Sequence, residues 1–439
     1  MMKRMLLIAF DFPPRRSSGV YRPAELTKYL VRQGWRPTVL TIEGREGESE
    51  DATLLRKIPP EVRVVRTRYL RVAGWEDRAA SAVRTAGAMQ TPAQERRATL
   101  LDRGLRRLAA FLRSLLYFPD DSVGWVPFGF LKARKLIREE RYDVVYSTSP
   151  PRAGLVIGLL LKVLLGVCWV AEFRDPWYLS SRPLRRRFER WLQASLLRHA
   201  DAVVVVTQGH ADHLRKQFAL GDGKLALVTN GFDEDDFARD PVLRSTALTP
   251  GYFHFSHFGS VYENFSGNFF PALIHLFRES PCLKERIRVN IIGIPDEAVL
   301  RYAQEEELQG IVEIRPLMPH ADTVPAMCAS DCLLLFLGHP EFSRLAVSGK
   351  LYEYLRTGRP ILALSYEGGV KTIIESAQAG WVVDPQDTEG IKSAMRRAMD
   401  CQGRGLPPNP ATAEYVAQFR YDLLTDKVVN LLNRVSRDV

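Results

Sequence analysis

Residues 348–360 read S-G-K-L-Y-E-Y-L-R-T-G-R-P, and the apolar run I-L-A-L follows at 361–364. Leu351, Tyr354 and Leu355 recur at i, i+3 and i+4, the spacing of a buried helical stripe. We therefore expect a helix that starts at the Ser348–Lys350 turn and ends just before a strand. Lys350 and Glu353 share a different face of it. As a solvated ion pair they would contribute only about 0.3–0.5 kcal/mol. The same groups also suit a ligand, because N–H groups and a cation at a helix start take a phosphate. A carboxylate one turn further in could accept hydrogen bonds from a ribose diol. Spacing alone leaves the two readings level.

Helix-then-strand units of this kind fill the chain. In the first half the strand patterns are Arg4–Phe10, Thr38–Ile42, Val62–Arg66, Asp143–Ser147, Val167–Phe173, Ala202–Thr207 and Lys224–Val228. In the second they are Phe253–Phe258, Arg288–Ile292, Val312–Ile314, Cys332–Leu337, Pro360–Leu364 and Trp381–Val383. Helical patterns such as Val20–Gln33 and Gln208–Phe218 separate them. Strands without polar alternation, spaced by helices, imply an α/β class with parallel sheets covered on both faces. A chain of 439 residues exceeds one compact core. We divide it into a domain over 1–235, a second over 250–408, and a closing segment over 409–439, helical at about Ala411–Val435 and expected to pack back across the domain junction. In such folds ligands bind where loops leave the carboxyl ends of the strands.

Composition excludes several classes. The chain is 46% hydrophobic and 26% charged, with no low-complexity tract. The first apolar run, R-M-L-L-I-A-F, is too short for a signal-peptide core and reads as a strand. The longest, Gly154 to Ala171, carries Lys162 and falls short of the roughly 20 residues of a spanning helix. Five cysteines, at 168, 282, 328, 332 and 401, show no zinc spacing and suggest reduced thiols in a cytoplasmic protein. Charge is uneven. Residues 1–200 hold 37 Lys/Arg against 20 Asp/Glu, a balance of +17; the rest hold 24 against 31, a balance of −7, which together give the net +10. The basic half is expected to meet something anionic.

Other cleft-facing stretches have equally plain alternatives. The first strand leads into D-F-P-P-R-R-S-S-G-V-Y-R, where Gly19 stands alone and no G-x-G-x-x-G is formed. The run A-E-F-R-D-P-W puts Arg174 and Asp175 at a strand's carboxyl end, as a structural pair or a reactive one. V-T-N-G-F-D, ending at Asp233, is a turn signal.

In order and spacing these pieces resemble glycosyltransferases of the GT-B fold, family 4, over nearly the whole chain. The resemblance includes the T-N-G-F-D junction, the opening Ser256-His257-Phe258-Gly259-Ser260 of the second domain, and the S-G-K-L-Y-E-Y-L block. The R-D-P-W run resembles a subgroup that builds bacterial surface polysaccharides. The resemblance implies transfer of a sugar from a UDP- or GDP-type nucleotide sugar, with retention of configuration, no cofactor and no required metal. It implies donor binding by Gly259, Ser260, Leu317, Arg344, Ser348, Gly349, Lys350 and Glu353. Catalytic groups would be Asp175 and Arg174, with Gly19 and Arg22 on the acceptor side. Two departures stand out. The family's first glutamate, eight positions before Glu353, is Leu345 here, with Glu341 out of register. The Arg and Lys that usually follow the second domain's glycine are absent from S-V-Y-E-N-F-S-G-N.

Two segments interleave arginines with large apolar residues: Leu100–Leu116, with Arg106 and Arg107, and Arg182–Leu197, with Arg185, Arg186, Arg187 and Trp191. Core helices with solvated faces would explain part of each. Arg-rich amphipathic helices with aromatics also suit an anionic membrane surface, and no nucleic-acid motif accompanies them. The resulting expectation is a peripheral enzyme on the inner membrane face with a lipid-linked glycan acceptor. Its rivals are a soluble transferase or nucleotide-sugar epimerase of the same fold, and a non-catalytic scaffold.

Overall fold

The computed structural model describes residues 2–44, 49–70, 118–177, 183–221, 223–238, 248–401 and 410–436. The strands form two wholly parallel sheets. In the first they are β1 (Arg4–Ile8), β2 (Arg36–Ile42), β3 (Arg63–Thr67), β4 (Val144–Ser149), β5 (Trp169–Phe173), β6 (Ala202–Val205) and β7 (Leu225–Leu227). Their order is β3-β2-β1-β4-β5-β6-β7. The second sheet holds β8 (Phe253–Phe258), β9 (Ile287–Ile292), β10 (Val312–Arg315), β11 (Cys332–Leu337), β12 (Ile361–Ser365) and β13 (Gly380–Val383), ordered β10-β9-β8-β11-β12-β13. Every strand expected from the sequence is present, its ends shifted by about two residues at most, the usual uncertainty of such boundaries.

Each sheet is buried on both faces, as unalternated apolar strands require. One face of the first sheet packs Leu6, Ile8, Trp169 and Phe173 with Trp125, Leu161 and Leu196. A Cβ on Gly158 would lie 2.2 Å from Trp169 Nε1, so glycine there lets the helix Ala153–Leu165 settle onto the sheet. The other face packs Met5, Leu7, Val39 and Val144 with Leu30 and with Leu424, Val428 and Leu432. Those last three belong to the helix Tyr421–Val435, which follows the second domain in sequence yet completes the core of the first. The chain returns through Phe419, Arg420 and Tyr421, where Phe232 N–H donates to Phe419 O and Tyr421 N–H donates to Phe232 O. The single helix read from the sequence over 411–435 is in fact two, Pro410–Ala417 and Tyr421–Val435.

A buried ion pair sits beneath that return. Arg22 Nε donates to Glu172 Oε1 at 2.8 Å, and both side chains are almost wholly enclosed. Arg22 also donates to the carbonyls of Val228 and Thr229, while Tyr146 and Thr148 hydroxyls donate to Glu172. Burial pushes the Glu172 carboxyl up, but Arg22 and the two hydroxyls outweigh it and the net shift is downward. The pair's contribution is therefore complete above the ordinary glutamate value and fades as pH falls through the lowered one. Removing one partner of a buried pair leaves an uncompensated charge, at a cost of about 3–5 kcal/mol. Glu172→Gln should lower the urea midpoint at neutral pH, corresponding to a loss of about 3–5 kcal/mol in unfolding free energy, with less effect in acid. An unchanged midpoint would contradict this role.

Candidate functional site

The loops after the carboxyl ends of both sheets meet. Arg16, beyond β1, donates to the carbonyl of Met318, beyond β10. Thr207 Oγ1, beyond β6, donates to Leu345 O at 2.6 Å. A Cβ on Gly209 would lie 2.2 Å from Arg344 O, so this approach admits only glycine. The candidate site lies along this line of contact.

On the second-domain side the expected helix spans Lys350–Thr357, with Gly349 at its N-cap and Gly358 in the left-handed region at its C-terminus. Leu351, Tyr352, Tyr354 and Leu355 are buried, and Phe258 N–H donates to the Tyr354 hydroxyl, tying the helix to β8. This fixes where Lys350 points. Gly259 has φ +117°, and a Cβ on it would fall 2.2 Å from Lys350 Nζ. The ammonium thus lies over the Gly259–Ser260 loop. Burial pulls its pKa down to about 8, against a raising effect from Glu353. His257, under the same loop, is pulled down to about 3 by burial and then by Lys350, and its Nδ1 lies 2.9 Å from Leu334 O.

Lys350 and Glu353 do not form an ion pair with each other. Glu353 Oε1 instead lies 2.9 Å from His320 Nε2. Ser348 and Gly349 form the turn before the helix, and Leu317 stands half-exposed after β10. Arg344 presents an exposed side chain from the short helix Pro340–Leu345, while its carbonyl abuts the first domain.

On the first-domain side two readings need correction. Arg22 does not face the cleft: it is 6% exposed, and Glu172, Val228 and Thr229 use its donors. Arg174 is likewise inward, with Nη1 donating to Gly19 O at 2.8 Å, Nη2 to Pro150 O at 2.6 Å and Nε to Ser149 O at 3.3 Å. With three of its five N–H groups it staples its own loop to the Gly19 and Ser149–Pro150 loops, which is a positioning role. Asp175 beside it is open to the cleft, where crowding lifts its carboxyl against the lowering effect of Arg174. At Gly19, expected on the acceptor side, a Cβ would lie 2.8 Å from Asp11 Oδ2.

The helix Pro183–His199 turns Leu192, Leu196 and Leu197 inward. Outward it shows Leu184, Phe188 and Trp191, which are 50%, 46% and 64% exposed, with Arg186, Arg187 and Arg190 beside them. Arg185 differs, because it pairs with buried Glu189 and donates to Pro119 O. Arg106 and Arg107 lie outside the described residues. Among the described residues no helix is long and apolar enough to cross a membrane. One carboxylate cluster, Glu25, Asp233 and Asp236, has oxygens within 4.8 Å of one another. The Lys57 ammonium already occupies it, 2.6 Å from Glu25 and bonded to Asp236.

Residues 90–236 match the family model described as Glycosyltransferase Family 4, and residues 264–401 match that of Glycosyl transferases group 1. No curated protein matches the chain in sequence. Sucrose-phosphate synthase from Thermosynechococcus elongatus superposes with a TM-score of 0.69 at 14% identity, over 100% of each chain. A glycosyltransferase from Rickettsia africae gives 0.64 at 14%, over 100% of this chain and 99% of that one. HepE of Anabaena in complex with UDP gives 0.64 at 14%, over 99% and 100%. At these identities the structural likeness concerns the fold.

A buried ammonium that titrates near neutrality makes anion binding depend on pH. Lys350 is charged below its pKa of about 8 and neutral above it. Affinity for a nucleoside diphosphate should therefore fall as pH rises from about 7 to about 9. Lys350→Gln should bind about tenfold or more weakly and lose that slope. Calorimetric titration across the range is the check, and equal slopes in both proteins would refute the placement.

Proposed function

Since the chain is a family 4-like glycosyltransferase with the GT-B fold, we propose that it moves a sugar from a nucleotide diphosphate donor to a lipid-linked or glycan acceptor at an anionic membrane surface, with retention of configuration. One observation carries the donor half of this reading. Among the described residues Lys350 is a deeply set cation with no ion-pair partner, held over a glycine loop. In the reaction the bond from the sugar's anomeric carbon to the diphosphate breaks, and a bond to the acceptor oxygen forms. Negative charge grows on the leaving diphosphate, where Lys350 and the N–H groups of the Ser348–Lys350 turn would stabilise it. Gly259 and Ser260 would line the phosphates, Glu353 would hold the ribose, and the backbone at Leu317 would meet the base. Lys350 makes up in part for the Arg and Lys missing after Ser260. This reading requires no metal ion.

Asp175 is our candidate for the acceptor side. It is open to the cleft at the end of β5, and its raised proton affinity suits a group that orients or receives the proton of an attacking hydroxyl. Arg174 acts behind it as the staple that fixes Gly19, Ser149 and Pro150.

The membrane half rests on the stripe Leu184–Phe188–Trp191. Apolar residues at this spacing, left uncovered and flanked by arginines, match a helix lying in a headgroup zone. A soluble transferase for small acceptors would gain nothing from it. Arg186, Arg187 and Arg190 reach solvent beside the stripe, and each would contribute about 1 kcal/mol near an anionic surface. Replacing all three by Ser should weaken sedimentation with anionic vesicles by about 100-fold, and added salt should release the parent. Equal pelleting at every salt concentration would mean that the arginines serve only solubility.

A further inference from the structure

Glu353 is gripped by a residue that the first domain holds in place. His320 opens the helix His320–Ala329 beyond β10 and is 5% exposed. Its Nε2 lies 2.9 Å from Glu353 Oε1. Its backbone N–H, its ring face and its Nδ1 all meet the first domain or the junction. Its backbone N–H donates to Asp51 Oδ2 at 2.9 Å. Its ring lies 4.8 Å from that of Tyr21, tilted by 43°. Its Nδ1 is 3.9 Å from Asp236 Oδ2. Arg16 donates to the carbonyl of Met318, two residues before it. Tyr21 follows Gly19 by two residues, and Arg174 holds the Gly19 carbonyl. A single path of contacts thus runs from the acceptor loop, through Tyr21 and His320, to the carboxylate assigned to the donor.

We propose that His320 is a positioning residue for Glu353 and is itself seated by the acceptor domain, so that the donor carboxylate is set in its binding orientation only when the two domains close. The inference rests on the reading of Glu353 as the ribose contact. An ionised carboxylate offers about four lone-pair sites. One bond from His320 therefore fixes the group's direction and leaves acceptors for a diol. A partly exposed glutamate without that bond would sample several rotamers and lose part of its binding energy to ordering. The charges around the ring favour the arrangement. Burial opposes a proton on His320, but the hydrogen bond and charge of Glu353, helped by Asp236 and opposed by Lys57, raise its proton affinity. Tyr21 in turn is pushed up to about 12, by burial first and then by Glu353 and Asp51, so it meets His320 as a neutral phenol. Because binding couplings are reciprocal, a donor that engages Glu353 should also tighten the acceptor loop.

Titration of the full chain with UDP, GDP and ADP, followed by use of whichever binds the parent, tests this. His320→Ala should weaken that nucleotide by about tenfold. His320→Gln places an amide nitrogen where Nε2 stood and should restore affinity to within about threefold of the parent, whereas His320→Asn, which mimics Nδ1 instead, should not. The Gln and Asn pair decides the matter even if the Ala variant folds poorly, because a ring that merely fills space would be missed equally in both. Tyr21→Ala should also weaken the nucleotide, although Tyr21 lies in the other domain. Parent-like binding by His320→Ala, or equal rescue by Gln and Asn, would overturn the proposal. If Glu353→Ala also binds like the parent, or if none of the three nucleotides binds, the ribose reading of Glu353 falls and the inference with it.

Discussion

Strands that all run parallel deliver all their following loops to one edge of a sheet. This chain has two such sheets, and their loop edges touch: Arg16 reaches Met318, Thr207 reaches Leu345, and the Tyr21 ring packs against that of His320. The rest of the structure depends on that constraint. It brings groups more than 300 residues apart in sequence into one cleft, as the separation of 302 between Arg16 and Met318 illustrates. It also explains the glycine at the contact, because backbone of the second domain meets backbone of the first at Gly209.

Two half-buried lysines show how the cleft differs from the scaffold around it. Lys57 has Glu25, Asp233 and Asp236 about it, and their charges more than offset burial, so its proton affinity is raised. Lys350 has no such cage and its affinity is lowered. A protein normally pairs a buried charge, because an unpaired one costs several kcal/mol or gives up its proton. The first lysine is a fastener between the helix Tyr21–Arg32 and the junction. The second has no ion-pair partner among the described residues, and we propose that a ligand anion takes that place. Arg22 and Arg174 fall in the first class, with their guanidinium groups bonded to backbone carbonyls and, for Arg22, to Glu172, and they hold the loops on which Gly19 and Asp175 are displayed.

Most of the fold was legible in the sequence because parallel strands buried on both faces leave continuous apolar runs, and thirteen of them stood out. The helix at Lys350 was legible for the same kind of reason, its buried stripe being local. What depended on distant partners was not. Arg22 read as a cleft residue because its partner Glu172 lies 150 residues away inside a strand pattern. Arg174 and Asp175 read as one pair, yet the backbone turns one inward and the other out. His320 carried only the weak signal of a P-H-A-D helix start after a strand, and its contacts with Tyr21 and Asp51 exist only once both domains are in place. The closing helix and its return across the junction were expected, but the particular residues of the first sheet that receive it, Leu7 and Val39 among them, were not, since amphipathicity does not say which core positions a helix covers.

The central claim is that a nucleotide diphosphate is held between the Gly259 loop and the helix start at Lys350. The most direct measurement is a crystal structure with the nucleoside diphosphate that most raises the melting temperature, a shift that should reach about 2.7 kcal/mol of stabilisation at 100 times its Kd. We expect the diphosphate within hydrogen-bond reach of the Lys350 ammonium and the Ser348–Lys350 N–H groups, with the ribose on Glu353. A nucleotide bound elsewhere, with Lys350 untouched, would contradict it.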